Sequence, residues 1–331
     1  MSEKLKILVT GGAGYIGSHV VRKFLDQGCR VTVYDNLSTG SSDNIFKDTL
    51  LTFVEGDILD HEKLSAAAEK GFDGIIHLAA FKAAGESMIY PEKYSVNNIS
   101  GTLSLLNCAL KAGIKNIVFS SSAAVYGEPE YIPIDEKHPL NPENYYGFTK
   151  LKIEEFLQWY EQLKGISSAS LRYFNAAGYD PDLRVTGLEK NPANLLPVIM
   201  ETAAGTREKI EIFGSDYPTR DGTCIRDYIH VTDLAEAHYL SMVHLAENRG
   251  SFRVNLGSEK GSTVLEMLEL SRKITDKPIP SALASRRPGD PAILVAGSSR
   301  AQKLLGWRPH YSSPELLIQT SWKVYKKRFA L

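Results

Sequence analysis

Short apolar runs alternate with longer amphipathic segments through the first half of the chain. Six of these runs are rich in β-branched residues and have the length of strands: 6–10, 30–34, 51–55, 74–79, 116–121 and 168–174. Between them, helical patterns begin near Tyr15, His61, Pro91 and Asn144, and each is long enough for a right-handed crossover between parallel strands. Apolar strands that alternate with helices are typical of a parallel sheet covered on both faces. The pattern therefore predicts an α/β fold built on a Rossmann-type, doubly wound parallel sheet.

The alternation breaks after Phe174, where Pro181, Pro192, Pro197 and Pro218 interrupt the sequence and indicate loops. We therefore expect a sheet domain at 1–174 and a smaller C-terminal substrate-binding domain at 175–331. The segment 228–247 has a helical pattern and is expected to return to the first domain, which would then also include about 228–250. The smaller domain would thus be discontinuous.

Composition narrows the classes of protein. A formal net charge of -1 at pH 7 provides no global field for nucleic acid or an anionic membrane. The N-terminal apolar run has only the length of a strand, which argues against a signal peptide or a transmembrane helix. The three cysteines have no metal-ligand spacing and are expected to be buried free thiols in a reducing compartment. We expect a cytoplasmic protein that binds neither nucleic acid nor membrane and holds no metal.

A glycine-rich turn follows the first predicted strand and opens the first helix. Gly12, Gly14 and Gly17, or alternatively Gly11, Gly14 and Gly17, have the spacing that lets a backbone approach a pyrophosphate at a helix N-terminus. Asp35 ends the next strand, where a carboxylate accepts hydrogen bonds from an adenosine ribose and repels a 2′-phosphate. This arrangement predicts a dinucleotide site that prefers NAD to NADP.

Two further polar residues allow more than one interpretation. Asp57, after the third strand, is a candidate either for a hydrogen bond to adenine or for the N-cap of the helix that begins near His61. His77, on an apolar strand, is more often a core histidine with its hydrogen bonds satisfied than a ligand.

Tyr146 and Lys150 are four residues apart in a helical segment, so their side chains lie on one face. A neighbouring ammonium is expected to lower the pKa of the Tyr146 phenol towards the working pH, and oxidised nicotinamide would act in the same direction. Ser122, after the fifth strand, is expected to bridge a substrate oxygen and that phenol. A tyrosine tuned in this way can act as the general base for oxidation of an alcohol.

Together, TGGAGYIG, SSSAAVYG and YYGFTK resemble the extended short-chain dehydrogenase/reductase family. Further motifs are similar to the UDP-sugar 4-epimerases within that family: LRYFNAAG, NLLP, IFGSDYPTRDGTCIRDYIHV and RRPGDPA. The likeness covers nearly the whole chain. It implies an isomerase that interconverts UDP-glucose and UDP-galactose by transient oxidation at sugar carbon 4, with NAD as cofactor, a 4-keto intermediate and a homodimeric assembly.

The resemblance also implies roles for individual residues. The catalytic residues would be Ser122, Tyr146 and Lys150. The cofactor would contact Gly11, Gly14, Tyr15, Ile16, Gly17, Asp35, Asn36, Asp57, Ile58, Lys82, Asn97, Tyr146, Lys150 and Tyr173. The UDP-hexose would contact Ser122, Tyr146, Asn175, Asn194, Leu195, Phe213, Arg226, Tyr228, Arg287 and Asp290. Arg226 and Arg287 suit a diphosphate because guanidinium groups are forked donors.

Three alternatives compete with this interpretation. Related dehydratases carry an Asp-Glu pair after the serine, whereas this chain has Ala123 and Ala124, which argues against elimination of water. Epimerisation of UDP-glucuronate, a UDP-pentose or a UDP-N-acetylhexosamine is a nearer alternative, because the sugar pocket is hard to read from sequence. A non-catalytic NAD(H) sensor belongs to another class, and the intact Ser122, Tyr146 and Lys150 argue against it.

Leu294 lies where members of the family differ in side-chain size. Its intermediate bulk would disfavour N-acetylated sugars by about 1–3 kcal/mol. Alternatively, Leu294 is a packing residue that points away from the sugar.

Overall fold

Seven parallel strands form the central sheet, in the order β10-β6-β5-β4-β1-β2-β3. The computed structural model describes residues 4–190, 192–248, 250–287 and 289–331. Its strands are β1 Lys6–Thr10, β2 Arg30–Asp35, β3 Leu51–Glu55, β4 Gly74–His77, β5 Asn116–Ser120, β6 Ser167–Tyr173, β7 Asn175–Ala177, β8 Ile210–Phe213, β9 Ile225–His230, β10 Phe252–Leu256, β11 Gly261–Thr263, β12 Ser281–Ala284 and β13 Ile293–Leu294. The predicted α/β sheet and all six predicted strands are therefore confirmed, with their ends shifted by up to two residues.

Helices cover both faces of this sheet. They are α1 Tyr15–Asp26, α2 His61–Ala68, α3 Ala84–Ser87, α4 Pro91–Tyr94, α5 Gly101–Lys111, α6 Tyr145–Lys164, α7 Leu195–Ala203, α8 Val231–Glu247, α9 Val264–Thr275, α10 Ser299–Leu305 and α11 Pro314–Phe329. A π-helical stretch, Ser95–Ser100, joins α4 to α5. None of the helices in the described part of the chain is long and apolar enough to span a membrane.

The seventh strand was not predicted. β10 pairs in parallel with β6, from Phe252 opposite Ala169 to Leu256 opposite Tyr173.

The predicted helix at 228–247 was wrong at its start, because Tyr228 lies in β9 and α8 begins only at Val231. His230 is the N-cap of α8, and its ring accepts from Thr232 N. The aromatic and β-branched residues of β9 favour a strand, and three neighbouring strands pair with it.

Two apolar layers hold the helices on the sheet. Val20, Phe24 and Leu234 belong to the layer on the side of α1 and α8, and Leu64, Leu106 and Ile153 to the layer on the side of α2, α5 and α6. In a parallel sheet the carboxyl ends of the strands meet at one edge, where ligands bind. Gly11, Asp35, His77, Ser120 and Tyr173 stand at or just beyond these ends.

A second core lies under the later part of the chain. β9 is the central strand of a small sheet with β7, β11 and β13, and β8 pairs with β12. Helices α7, α9 and α11 pack beside these strands and bury Met200, Leu268 and Trp322. The free cysteines Cys29, Cys108 and Cys224 are all buried, as predicted.

Candidate active site

The glycine turn between β1 and α1 leaves no room for side chains. Gly11 has a φ of +75°, and a Cβ there would lie 2.6 Å from Ala79 N. A Cβ on Gly17 would lie 2.1 Å from Gly11 O. Gly14 is the N-cap of α1 and provides no side-chain oxygen to the first helical N–H groups. These features give a helix N-terminus at which backbone N–H groups can receive an anion.

Asp35 closes this turn from the end of β2. One of its carboxylate oxygens accepts from Ala13 N at 2.9 Å and the other from Leu37 N at 2.8 Å. Burial raises the pKa of this carboxyl, and the two backbone N–H groups oppose the change. Asp35 therefore shapes the glycine turn as well as facing the space beside it.

A cavity of about 540 Å³ opens at the carboxyl edge of the sheet. It is lined by every residue predicted for the cofactor except Asp57. Asn97 reaches it from the π-helical stretch, a backbone form that is frequent at functional sites. The glycines that admit a backbone close to a ligand, the helix N-terminus and the cavity together fit a dinucleotide.

The structure gives the hydrogen-bond partners of Asp57 and His77, the two residues that allowed more than one interpretation. Asp60, not Asp57, is the N-cap of α2 and accepts from Lys63 N, so the N-cap interpretation of Asp57 was wrong. Asp57 instead accepts from Asn36 Nδ2 at 2.8 Å, and its contact with adenine stays a prediction. His77 is buried between Thr10 and Thr102, whose hydroxyls bond its two ring nitrogens at 2.7 and 2.8 Å. The prediction of a satisfied core histidine is confirmed.

Tyr146 and Lys150 share one face of α6, which begins where Asn144 accepts from Gly147 N at 2.9 Å. Lys150 Nζ donates to Ser120 O at 2.7 Å and stands 5.7 Å from the centre of the Tyr146 ring. A Cβ on Gly147 would lie 2.3 Å from Ala124 O, so the glycine lets the helix approach the segment after β5. That approach brings the helix close to Ser122.

Ser122 stands beside the phenol rather than in the cavity wall. Its Oγ accepts from Ala124 N at 3.1 Å, and its hydroxyl opposes the rise in the pKa of Tyr146 that burial causes. Ser120 lines the cavity and shares a hydrogen bond with the Tyr173 hydroxyl. The structure thus brings all three predicted catalytic residues together.

Burial controls the titration of this group. It raises the pKa of Tyr146 more than Ser122 lowers it, and it lowers the pKa of Lys150 to about 7. From the sequence we expected Lys150 to lower the pKa of Tyr146 below its ordinary value. For the protein groups by themselves this expectation is wrong, because desolvation disfavours both the tyrosine phenolate and the lysine ammonium.

A buried polar network beneath Lys150 was not predicted from the sequence. Burial lowers the pKa of Lys150, and Glu154, one turn further along α6, opposes that change only in part. Glu154 also accepts from Ser121 Oγ at 2.5 Å and forms a buried ion pair with Arg172 at 2.5 Å. In the chain, Ser121 stands between Ser122 and Ser120. The carbonyl oxygen of Ser120 accepts the hydrogen bond from Lys150. The network therefore holds the end of β5 in register with α6. The spacing of 146, 150 and 154 was the signal that could have revealed Glu154.

A second cavity, of about 690 Å³, lies over the small sheet. It is lined by all the residues predicted for the UDP-sugar other than Ser122 and Tyr146. The Arg287 guanidinium carbon is 3.8 Å from the centre of the Phe213 ring, and Arg226 forms an ion pair with Asp290. The lining also includes residues that sequence reasoning did not identify, because they match no motif: Arg207, Glu208, Lys209 and Glu211.

Side chains along β9 alternate between two faces, one of which lines the second cavity while the other holds neighbouring loops. Arg226 and Tyr228 line the cavity, and Asp227 between them points to the other face of the strand. Its carboxylate accepts from Ser258 N at 2.7 Å, Glu259 N at 3.0 Å and Ala296 N at 3.1 Å. Burial raises the pKa of Asp227 to about 6. This carboxylate fixes the loops on either side of β9.

Leu294 is half-buried in β13, where it pairs with Arg226. It packs against a cluster that includes Ala123, Val125 and Tyr126. It is not among the described residues that line either cavity. This position favours the packing interpretation.

Comparison with known proteins gives the family. The model of the NAD dependent epimerase/dehydratase family matches residues 7–257. The UDP-glucose 4-epimerase of Halalkalibacterium halodurans is 47% identical over 98% of this chain and 96% of its own. The UDP-glucose 4-epimerase of Brucella ovis in complex with NAD superposes with a TM-score of 0.93 at 42% identity, over 97% of this chain and 98% of that one. The UDP-Glc/GlcNAc 4-epimerase of Campylobacter jejuni superposes with a TM-score of 0.85 at 40% identity, over 98% of this chain and 99% of that one. With a dinucleotide cavity and a tyrosine-lysine pair at the edge of its sheet, this chain belongs to the NAD dependent epimerase/dehydratase family.

Proposed function

We propose that this enzyme interconverts UDP-glucose and UDP-galactose by transient oxidation at sugar carbon 4. The observation that carries the proposal is that residues only two positions apart in the chain line the two cavities. Tyr173, at the end of β6, lines the cofactor cavity, and Asn175, at the start of β7, lines the second cavity. A sugar held by its nucleotide in the second cavity can thus reach Tyr146.

The glycine turn, Asp35, Lys82, Asn97 and Lys150 would hold NAD in the first cavity. When bound, NAD supplies reversible acceptance of a hydride from carbon 4, and its oxidised ring adds the positive charge that favours the Tyr146 phenolate. Tyr146 Oη takes the proton of the sugar 4-hydroxyl and later returns it, and Ser122 hydrogen-bonds the same oxygen. The 4-ketose turns between these two proton transfers, which inverts the configuration at carbon 4.

A sugar that must turn is held loosely, so the nucleotide supplies most of the binding free energy. Arg226 and Arg287 are the cations placed for the diphosphate, and the face of Phe213 is placed for the base. Asp290 neutralises Arg226 in the protein alone and has a second role as an acceptor for ribose hydroxyls. The charged lining of this cavity supports a diphosphate ligand over an apolar one.

The test is conversion of UDP-galactose to UDP-glucose by the purified protein with NAD. The relative from Campylobacter jejuni acts on both plain and N-acetylated sugars by its name, so UDP-N-acetylgalactosamine belongs in the same assay. Because Leu294 lines neither cavity among the described residues, we expect Leu294→Ser to leave the ratio of the two kcat/KM values unchanged. If Leu294 instead obstructs the sugar, kcat/KM should favour UDP-galactose by about 10–200-fold and the variant should lose that preference. No turnover of either sugar, in protein that holds NAD, would overturn the proposed activity.

Replacement of Asp35 tests the choice of cofactor. We expect Asp35→Ala to narrow the preference for NAD over NADP, because the carboxylate that repels a 2′-phosphate is lost. The same change should weaken the binding of both nucleotides, because Ala13 N and Leu37 N lose the carboxylate that accepts their hydrogen bonds. Titration of nucleotide-free protein with each cofactor measures both effects.

Asp35→Asn is the matched control, because it removes the charge and keeps an acceptor. A preference for NAD that is unchanged in both variants would remove Asp35 from the selection of the cofactor.

The domain limits, assembly and compartment also stay proposals. The larger domain would comprise 4–174 with α8 and β10, and the smaller one the rest.

Val96, Trp159 and Leu163 are exposed apolar residues of the region around α5 and α6. They support a homodimer that forms through helices of the first domain, and sedimentation of the protein tests this assembly. Three buried free thiols support a reducing cytoplasmic compartment.

A further inference from the structure

Lys190 reaches the cofactor cavity from the segment between β7 and α7. Its side chain is exposed and lines that cavity, and its ammonium group donates to Leu37 O at 3.2 Å. Leu37 N in turn donates to Asp35 Oδ1 at 2.8 Å. One residue therefore connects the Lys190 ammonium with the Asp35 carboxylate, and the two opposite charges lie near each other at the end of β2.

Most other charged residues that line this cavity are engaged within the protein. They belong to ion pairs or to the catalytic group: Lys82 with Glu189, Lys93 with Glu86, and Lys150. Among the described lining residues, Asp35 and Lys190 are the charges that remain. Burial raises the pKa of Asp35, and the Lys190 ammonium is one of the groups that oppose this rise. These two side chains therefore determine the charge that a ligand meets at the end of β2.

The two charges act in opposite directions on a phosphate. A carboxylate in this position accepts hydrogen bonds from the adenosine ribose of NAD and repels the 2′-phosphate of NADP. A lysine ammonium attracts that phosphate, because it binds phosphates as a compact point charge. Ser38 and Thr39 also line the cavity, and their hydroxyls can donate to phosphate oxygens. One group that excludes a 2′-phosphate thus stands beside several that suit one.

We propose that Lys190 is a second cofactor-specificity residue, which attracts the 2′-phosphate of NADP and thereby limits the preference for NAD that Asp35 creates. The proposal rests on the proposed function, in which the adenosine ribose lies beside Asp35. NAD has no 2′-phosphate, so Lys190 affects the binding of NADP much more than the binding of NAD.

Titration of nucleotide-free protein with NAD and with NADP tests this role without any assay of turnover. We expect Lys190→Met to raise the Kd for NADP about 3–30-fold and the Kd for NAD less than about twofold, because only NADP loses a charged hydrogen-bond donor. Lys190→Arg keeps the cation and should bind NADP nearly as the natural protein does.

The clearest comparison starts from Asp35→Asn, because NADP binds weakly while the carboxylate is present. We expect Asp35→Asn to bind NADP more tightly than the natural protein does. The double variant Asp35→Asn/Lys190→Met should lose most of that gain, since the cation that favours the 2′-phosphate is then absent.

Lys115→Met is the matched control. Lys115 is also an exposed lysine whose ammonium donates to a backbone oxygen, Lys164 O at 3.0 Å, and it is not among the described residues that line either cavity. An unchanged Kd for NADP in both Lys190→Met backgrounds, an equal weakening of NAD and NADP, or the same change in the control would overturn the role of Lys190.

The outcome for Lys190 is separate from the outcome for the proposed function. Natural protein that binds neither nucleotide would overturn both proposals. Protein that binds NAD but does not convert UDP-galactose would overturn only the proposed activity, and the titrations would still decide the role of Lys190. The unfolding temperatures of the nucleotide-free variants show whether each protein is folded.

Discussion

Replacing Tyr146 by phenylalanine is expected to lower kcat for epimerisation by about a hundredfold to ten-thousandfold while NAD stays bound. The phenyl ring keeps the buried packing beside Lys150, and only the hydroxyl that exchanges the proton of the sugar is lost. Initial rates with UDP-galactose and the NAD content of the purified variant measure the two parts of this expectation.

Tyr145→Phe provides a neighbouring control. The Tyr145 hydroxyl hydrogen-bonds Ser95 Oγ at 2.6 Å, and the residue is not among those that line the cavities. It should therefore keep nearly the natural rate. Comparable turnover in Tyr146→Phe and the natural protein would mean that another group moves the proton.

The second large effect is expected for Lys150→Met. Up to about pH 7, where Lys150 still carries its proton, the substitution removes an ammonium beside the phenol. Tyr146 then requires a higher pH to lose its proton, so the rise of kcat with pH should move to higher pH. The direction follows from the charge: a cation favours the phenolate, and its loss favours the phenol. Ser120 O also loses its donor at 2.7 Å, which should loosen the end of β5 and lower kcat at every pH.

Lys152→Met separates this effect from general changes of α6. Lys152 lies on the same helix and pairs with Glu155 at 2.7 Å near the surface, so its loss should leave the pH profile in place. Glu154 and His77 are the other titratable groups close to Lys150, and both are present in the two variants. A pH profile for Lys150→Met that coincides with that of the natural protein would show that Lys150 does not tune Tyr146.

The buried polar network beneath Lys150 holds the catalytic helix firmly against the central sheet. Glu154 accepts hydrogen bonds from Ser121, the residue after β5, and from Arg172 of β6, so one buried carboxylate joins the ends of two neighbouring strands to the catalytic helix. A buried ion pair of this kind is costly to break, because the remaining charge stays without a partner.

Much of the fold follows from local sequence patterns. The apolar runs of β1 to β6 and the glycine turn are signals that depend on neighbours in the chain, as is the spacing of Tyr146 and Lys150. Pattern and spacing are enough there because a strand, a turn and a helix face are each determined within a few residues. The residues assigned to the UDP-sugar came instead from resemblance, and the structure places most of them around one cavity.

Other features required the tertiary structure. β10 was missed because its place beside β6 depends on pairing with a strand about 80 residues earlier in the chain, and the raised pKa of Tyr146 arises from burial by several elements at once. Lys82 and Glu189 meet only because two distant loops converge over the cofactor cavity. The sequence by itself determined the sheet, the glycine turn and the tyrosine-lysine face, whereas the tertiary structure decided the protonation of that face and the partners of its charges. The physical reason is that desolvation and ion pairing depend on every group that surrounds a side chain, and those groups are brought together only when the chain folds.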